Sequence, residues 1–103
     1  MTKNNSKKIN QLTSYQEGSI VSKEIVSESG GSITLFAFDK GQKLSEHKAP
    51  YEALVVVTDG VAEITVSGVK QKVEAEEMLL IPANAPHAIT ASSRFKMMLV
   101  MIK

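Results

Sequence analysis

His47 and His87 are the only two histidines in this chain of 103 residues. Imidazole changes charge near neutral pH, and its neutral form ligates metal ions. Two of them in one cavity could therefore exchange protons or hold an ion, whereas two kept apart are ordinary hydrogen-bonded side chains. Tyr51 and Glu52 follow His47 closely. The phenol offers a ligand clamp or a proton donor, or simply packs with its hydroxyl at a rim. The carboxylate offers a metal ligand, or is a solvated strand-end charge of the usual kind. Nucleophilic catalysis has little support, since there is no cysteine and no serine in a recognisable elbow. Glycine-rich phosphate loops are absent as well.

These side chains must be positioned by strands. Ile20 to Val26 mixes Ile and Val with polar residues, and Gly30-Gly31 marks a turn after it. Ile33 to Phe38 is β-branched and aromatic, ending at Asp39-Lys40-Gly41. Leu44 to His47 reads as a short strand. Ala53 to Val57 is continuously apolar and runs into Asp59-Gly60, a hairpin signal. Val61 to Val66 alternates, with Ala62, Ile64 and Val66 on one face. After the turn Ser67-Gly68, Val69, Gln71 and Val73 share a face opposite Lys70 and Lys72. Met78 to Ile81 is apolar up to Pro82, and two prolines shape the loop into His87. Phe95, Met97, Leu99 and Met101 share one face of a closing strand. Short strands, frequent turns and no sustained helical period predict an all-β barrel or sandwich.

Length and composition set the bounds. The chain is one domain near the small end of the range, expected as residues 11–103 behind a flexible tail of residues 1–10. That tail is polar and carries Lys3, Lys7 and Lys8, read as solvated charge. Gln11 to Gly18 reads as a helical turn stopped by glycine. With 12 basic and 11 acidic residues the net charge is +1, which gives no footprint for nucleic acid or an anionic membrane. No apolar segment approaches the ~20 residues of a membrane span. The lysines near the N-terminus have no apolar run behind them, so a secretory signal is not expected. Absence of cysteine rules out stapling by disulfides and suits a reducing cytoplasm, the expected location.

Gly41, His47 and Gly60 fall in register with G-x5-H-x-H-x3/4-E-x6-G, the first motif of the cupin superfamily, which this chain resembles. Ala49 stands at the second motif histidine and Ala53 at the motif glutamate. Pro82 and His87 match the second motif, G-x5-P-x-G-x2-H-x3-N. Asn84 replaces its inner glycine, as a residue that tolerates a left-handed backbone, while Glu76 and Ala91 stand at its two ends. The resemblance runs from about Gly31 to Lys103. It implies a cupin-type double-stranded β-helix, a jelly-roll barrel in which the two motif regions face each other. The family typically holds a metal there on three histidines and a glutamate.

On that resemblance His47 and His87 converge in the barrel as two ligands, and both alanines are inert. Glu46 should point through the opposite face. Glu52 becomes a third ligand only if a bulge near Pro50 shifts the register, giving a two-histidine, one-carboxylate set suited to iron(II). One divalent ion (zinc, nickel, iron or manganese) at partial occupancy is the expected cofactor. Phe36, Phe38 and Met97, with Met98 and Met101, are the expected pocket wall, although such residues are more often ordinary core, and Gln71 is a hydrogen-bonding wall residue or an edge position open to water. The resemblance implies a small-molecule cavity with weak metal-dependent, dioxygenase- or isomerase-like activity, or a non-enzymatic binding or sensing module. The small molecule itself is not readable. Because both faces of the apolar strands Ala53–Val57 and Met78–Ile81 are hydrophobic, a homodimer is expected to cover the outer one.

Overall fold

A computed structural model describes residues 5–103; Lys3 of the expected tail lies outside them. Eight strands follow a single turn of 3-10 helix at Ile9–Gln11: β1 Ile20–Glu28, β2 Gly31–Phe38, β3 Lys43–His47, β4 Glu52–Val66, β5 Val69–Glu74, β6 Met78–Ile81, β7 His87–Thr90 and β8 Phe95–Ile102. Every pairing is antiparallel. One sheet runs β1-β2-β8-β4-β6 and the other β3-β7-β4-β5, so β4 belongs to both and folds them toward each other. This is the expected all-β barrel.

The expected hairpin at Asp59-Gly60 does not form. β4 is a single strand of 15 residues that passes straight through this pair. A tight two-residue hairpin of this kind needs positive φ at both central residues. Only Gly60 has it, at φ +74°, and both residues stay paired with β8, opposite Lys96 and Phe95. The true hairpin is the next one, where Ser67 and Gly68 both adopt positive φ. At Asp59-Gly60 the register slips by one residue between Val57 and Asp59. That bulge changes which parity faces the interior: Ala53, Val55 and Val57 are buried before it, Ala62 and Ile64 after it. A Cβ on Gly60 would run into the Arg94 carbonyl and Phe95, so glycine is required for the bend as well as for the φ.

The interior closes around Phe38 and Phe95, cross-strand partners stacked with ring centres 4.5 Å apart. Val55, Val57, Ala62 and Ile64 are completely buried beside them. Each such valine or isoleucine contributes about 1.5–3 kcal/mol by leaving water. Just beyond the aromatic pair lies a polar clamp. Asp39 is almost fully buried and accepts hydrogen bonds from Arg94 Nε (2.7 Å) and the Gly18 amide (2.6 Å). The Arg94 hydrogen bond holds the Asp39 carboxyl below its ordinary range, with the Gly18 amide adding to it.

The clamp fastens the N-terminal segment. Tyr15 donates to Asp59 at 2.5 Å, and Lys96 Nζ donates to the carbonyls of Asn10 and Thr13. Burial, followed by the bond to Asp59, pushes the Tyr15 phenol far up. Asn10 itself donates to the Thr58 carbonyl, so the boundary expected between residues 10 and 11 cuts through a turn already tied to the barrel. Gln11 to Gly18 holds no longer helix than the last residue of that turn. No helix among the described residues is long and apolar enough to cross a membrane.

Candidate functional site

His87 opens β7 and His47 closes β3, and the two are direct cross-strand partners. Their rings meet edge to face, with centres 4.3 Å apart and planes inclined by 63°. This meeting depends on an irregularity in β3. Leu44 pairs with Ile89 and His47 with His87, so three steps on β3 match two on β7. In a regular strand, residues three apart face opposite sides. The inserted residue lets both Leu44 and His47 face inward. The register of the inner face then reads Val66, His87, His47 across β4, β7 and β3.

Each ring is oriented by its own backbone. His47 Nδ1 lies 2.9 Å from the Ser45 carbonyl and His87 Nδ1 lies 3.0 Å from the Ala85 carbonyl. A carbonyl only accepts, so Nδ1 carries the proton in both rings. Both Nε2 atoms are then left as lone-pair acceptors. His87 is nearly buried, whereas His47 is exposed and stands at the mouth.

Both rings line a cavity of about 70 Å³. Phe36, Met97 and Met101 line it with them, together with aliphatic side chains and the two alanines, Ala49 and Ala53. The hollow exists because those positions carry methyl groups. Left-handed backbone persists at both changed glycine positions of the second motif, at the cavity end for Asn84, whose amide donates to the Ala49 carbonyl, and at the far end for Glu76, whose amide donates to the Val57 carbonyl. Asn84 sits at φ +66° and Glu76 at φ +75°, both at motif glycine positions. The left-handed conformation expected of Asn84 is therefore present, and Glu76 preserves the bend although the glycine itself is gone.

Other expected wall residues fall elsewhere. Phe38 is fully buried in the aromatic stack and does not reach the cavity. Gln71 pairs with Ile64 at the sheet's open side and is exposed, since β5 is an edge strand with nothing beyond it. Met98 pairs with Val56 and Leu35, on the outer face. Tyr51 is exposed and outside the cavity, its ring 5.8 Å from Lys103 Nζ. Leu44, Leu99 and Ile81 were not expected in the wall but line it. Periodicity alone could have found Leu99, two residues from Met97 on β8. Leu44 depends on the β3 irregularity, which has no residue signature.

Glu52 is not a third ligand. Its strand pairs regularly with β8 from Glu52 to Val57, so no bulge near Pro50 turns it inward, and it is exposed. Ala53 faces the cavity instead. Among the described residues no group of three or more His, Cys, Asp or Glu side chains is placed to hold a metal. Two neutral imidazoles in a wall without a carboxylate leave a divalent ion with its charge uncompensated, so the family's usual divalent metal does not fit this donor set.

Comparison with known proteins bears on the same residues. No curated protein matches the chain. A protein of unknown function from Streptococcus pyogenes is 30% identical and superimposes with a TM-score of 0.94, covering 100% of this chain and 90% of that one. A cupin superfamily protein from Desulfitobacterium hafniense is 26% identical, with a TM-score of 0.92 over 99% of this chain and 94% of that one. A cupin 2 conserved barrel domain protein from Leptotrichia buccalis is 41% identical, with a TM-score of 0.88 over 91% of this chain but only 46% of that one. The cupin domain family matches residues 34–103, which contain both histidines, the polarity-stripped positions Ala49 and Ala53, and the whole cavity wall. This chain is a member of the cupin family.

Proposed function

We propose that this cupin binds a small ligand at the His47–His87 pair and does so without catalysing a reaction on it. The observation that carries the reading is the matched orientation of the two rings. Each Nδ1–H is spent on a backbone carbonyl, and the rings are 4.3 Å apart, which leaves two basic nitrogens for a guest. A dioxygenase-like reaction needs an ion with open positions, and the cavity wall supplies no carboxylate to balance a divalent ion's charge. At about 70 Å³ the cavity is also far below the ~300 Å³ at which drug-sized ligands begin. It suits a guest of a few heavy atoms, or the tip of a larger one entering past His47. The lack of cysteine fits work in a reducing cytoplasm.

The test is a fragment titration of the whole chain followed by side-chain NMR of the imidazoles. Ligands should move both rings together, and His87→Ala should abolish their binding. Fragments that bind equally well to His47→Ala and His87→Ala proteins would remove the reading.

The reading gives the outer face of the first sheet to a second copy of the chain. Val26, Ile33, Val100, Leu54 and Leu80 form one cross-strand row, and Met98, Val56 and Met78 lie in the next. Met78 is 64% exposed and Leu80 50% exposed. An apolar face continuous across five strands is larger than a monomer usually leaves open, and an identical face related by a two-fold axis is the simplest cover for it. Sedimentation at micromolar concentration should show a dimer, and Met78→Lys with Leu80→Lys should convert it to a folded monomer. A wild-type monomer at that concentration would refute the assembly.

A further inference from the structure

We propose that the cavity is a site for a soft monovalent metal ion, copper(I), held by His47, His87 and the thioether of Met101. This rests on the reading that the paired imidazoles are the binding element. Among the described side chains lining the cavity, the only ones with a heteroatom are His47, His87, Met97 and Met101; the remainder are hydrocarbon. The hard-ligand set is missing, yet the site is not bare of donors. It has exchanged oxygen for sulfur.

The position of the sulfur follows from the register. Ala53 on β4 faces the cavity, and its direct partner on β8 is Met101. Cross-strand partners hold their Cβ atoms about 4.5–5.5 Å apart. A flexible thioether therefore stands beside the position from which the carboxylate is missing, in the wall of the cavity that both imidazoles line. Met97 lies four residues earlier on the same face of β8 and is buried, with its own partner Val57 farther along β4. It is the second, deeper sulfur.

Charge and softness then select the ion. Thioether and imidazole are neutral donors, and thioether sulfur favours copper(I) over zinc, manganese or magnesium. At equal radius a singly charged ion carries about a quarter of the Born desolvation cost of a doubly charged one, so an uncharged wall penalises it far less. A small cavity suits an ion that needs few ligands and no retained water shell. His47, exposed at the mouth, is the donor an incoming ion meets first. The ion is bound and released as copper(I), with no change of oxidation state.

The experiment is an anaerobic competition titration of copper(I) between the whole metal-free protein and a chromogenic copper(I) chelator, with a parallel zinc(II) titration. Silver(I), a redox-inert substitute, is added to protein carrying 13C-methyl methionine. The expected result is one copper(I) per chain, with silver(I) shifting the Met101 methyl signal. Met101→Leu, which conserves volume, should lower copper(I) affinity roughly tenfold or more while leaving zinc(II) affinity unchanged. Met97→Leu should have the smaller effect. His47→Ala with His87→Ala should abolish copper(I) binding, and far-ultraviolet circular dichroism checks that each variant is folded. Wild-type copper(I) affinity in folded Met101→Leu protein, or no competition by the wild type, would overturn the proposal. If zinc(II) or fragment binding is still lost in the histidine variants, the paired-imidazole reading stands without it. If nothing depends on the histidines, both fall.

Discussion

The barrel has two ends built from the same strands. At one, Phe38 stacks on Phe95, Val57, Ala62 and Ile64 are sealed from water, and Asp39 and Arg94 clamp the rim immediately after and before the aromatic pair. At the other, Ala49 and Ala53 line a hollow, and an imidazole rather than a phenyl ring stands on each of the paired strands β3 and β7. Strand β4 runs through both, carrying Val57 toward the packed end and Ala53 toward the hollow one. Tight packing is concentrated at the first end, and the second keeps a hollow. That division predicts that substitutions of similar size should have opposite consequences on the two sides of one strand.

The packed end should give the largest effect. Val57→Asp would place a carboxylate where no water and no cation reach. An unpaired buried charge costs several kcal/mol, comparable with the whole stability of a domain this small. Circular dichroism should show an unfolded chain at 25 °C. A folded Val57→Asp protein would mean that this end is less closed than its packing indicates.

Acid should loosen the same end next. The folded-state affinity of the Asp39 carboxyl for a proton is depressed, chiefly by Arg94. A group of this sign contributes its full stabilisation above the unfolded-chain value of about 3.9, and loses it as pH falls through the lower folded-state value. Asp39→Asn removes the charge at every pH. Thermal melts should therefore show the wild type lying above Asp39→Asn at neutral pH and converging on it as pH falls below the unfolded-chain value of about 3.9 and through the lower folded-state one. Parallel curves across that range would separate the clamp from the packed end.

At the hollow end the effect should reverse. Ala53→Leu adds three carbons where space already exists, so stability should change by no more than about 1 kcal/mol in either direction. Binding at the histidine pair should nonetheless be lost, because the added side chain occupies the cavity. Thermal denaturation and a copper(I) or fragment titration on one sample would read both. A large loss of stability would show that the end is not hollow in solution.

The two ends were also unequally legible in the sequence. The packed one follows from alternation: Val55, Val57, Ala62 and Ile64 could be assigned to a common core from their spacing once a turn was placed between them. The placement was right and its nature was not, since Asp59-Gly60 marks a bulge inside one strand. Asp-Gly specifies a backbone able to reach positive φ, and whether the chain then reverses depends on pairing partners that lie far away in sequence. At the hollow end, His47 and His87 were recognisable from the motif register. Their contact required the irregularity in β3, which is fixed by the loop and strand pairing of the folded chain. Glu52 illustrates the same limit. Its chemistry suited a ligand, but a one-residue difference in register decides which face it takes, and β4 gives that face to Ala53.

The smallest effect should come from the N-terminus. Residues 5–8 are exposed, and the Lys7 ammonium hydrogen-bonds the Asn5 carbonyl within the same segment. Asn10 is tied to the barrel, its side chain reaching the Thr58 carbonyl beside the β4 bulge, and Lys96 binds the Asn10 and Thr13 carbonyls. Deleting Met1–Lys8 leaves all three of these bonds in place, so the melting temperature should shift by no more than about 2 °C. Extending the deletion through Ser14 removes them and leaves Lys96 without its acceptors, which should cost roughly 1–3 kcal/mol. The contrast between the two deletions is the measurement. If the shorter one already lowers the melting temperature by several degrees, and the loss depends on protein concentration, the segment docks on a second copy. The packed end would then extend across the dimer.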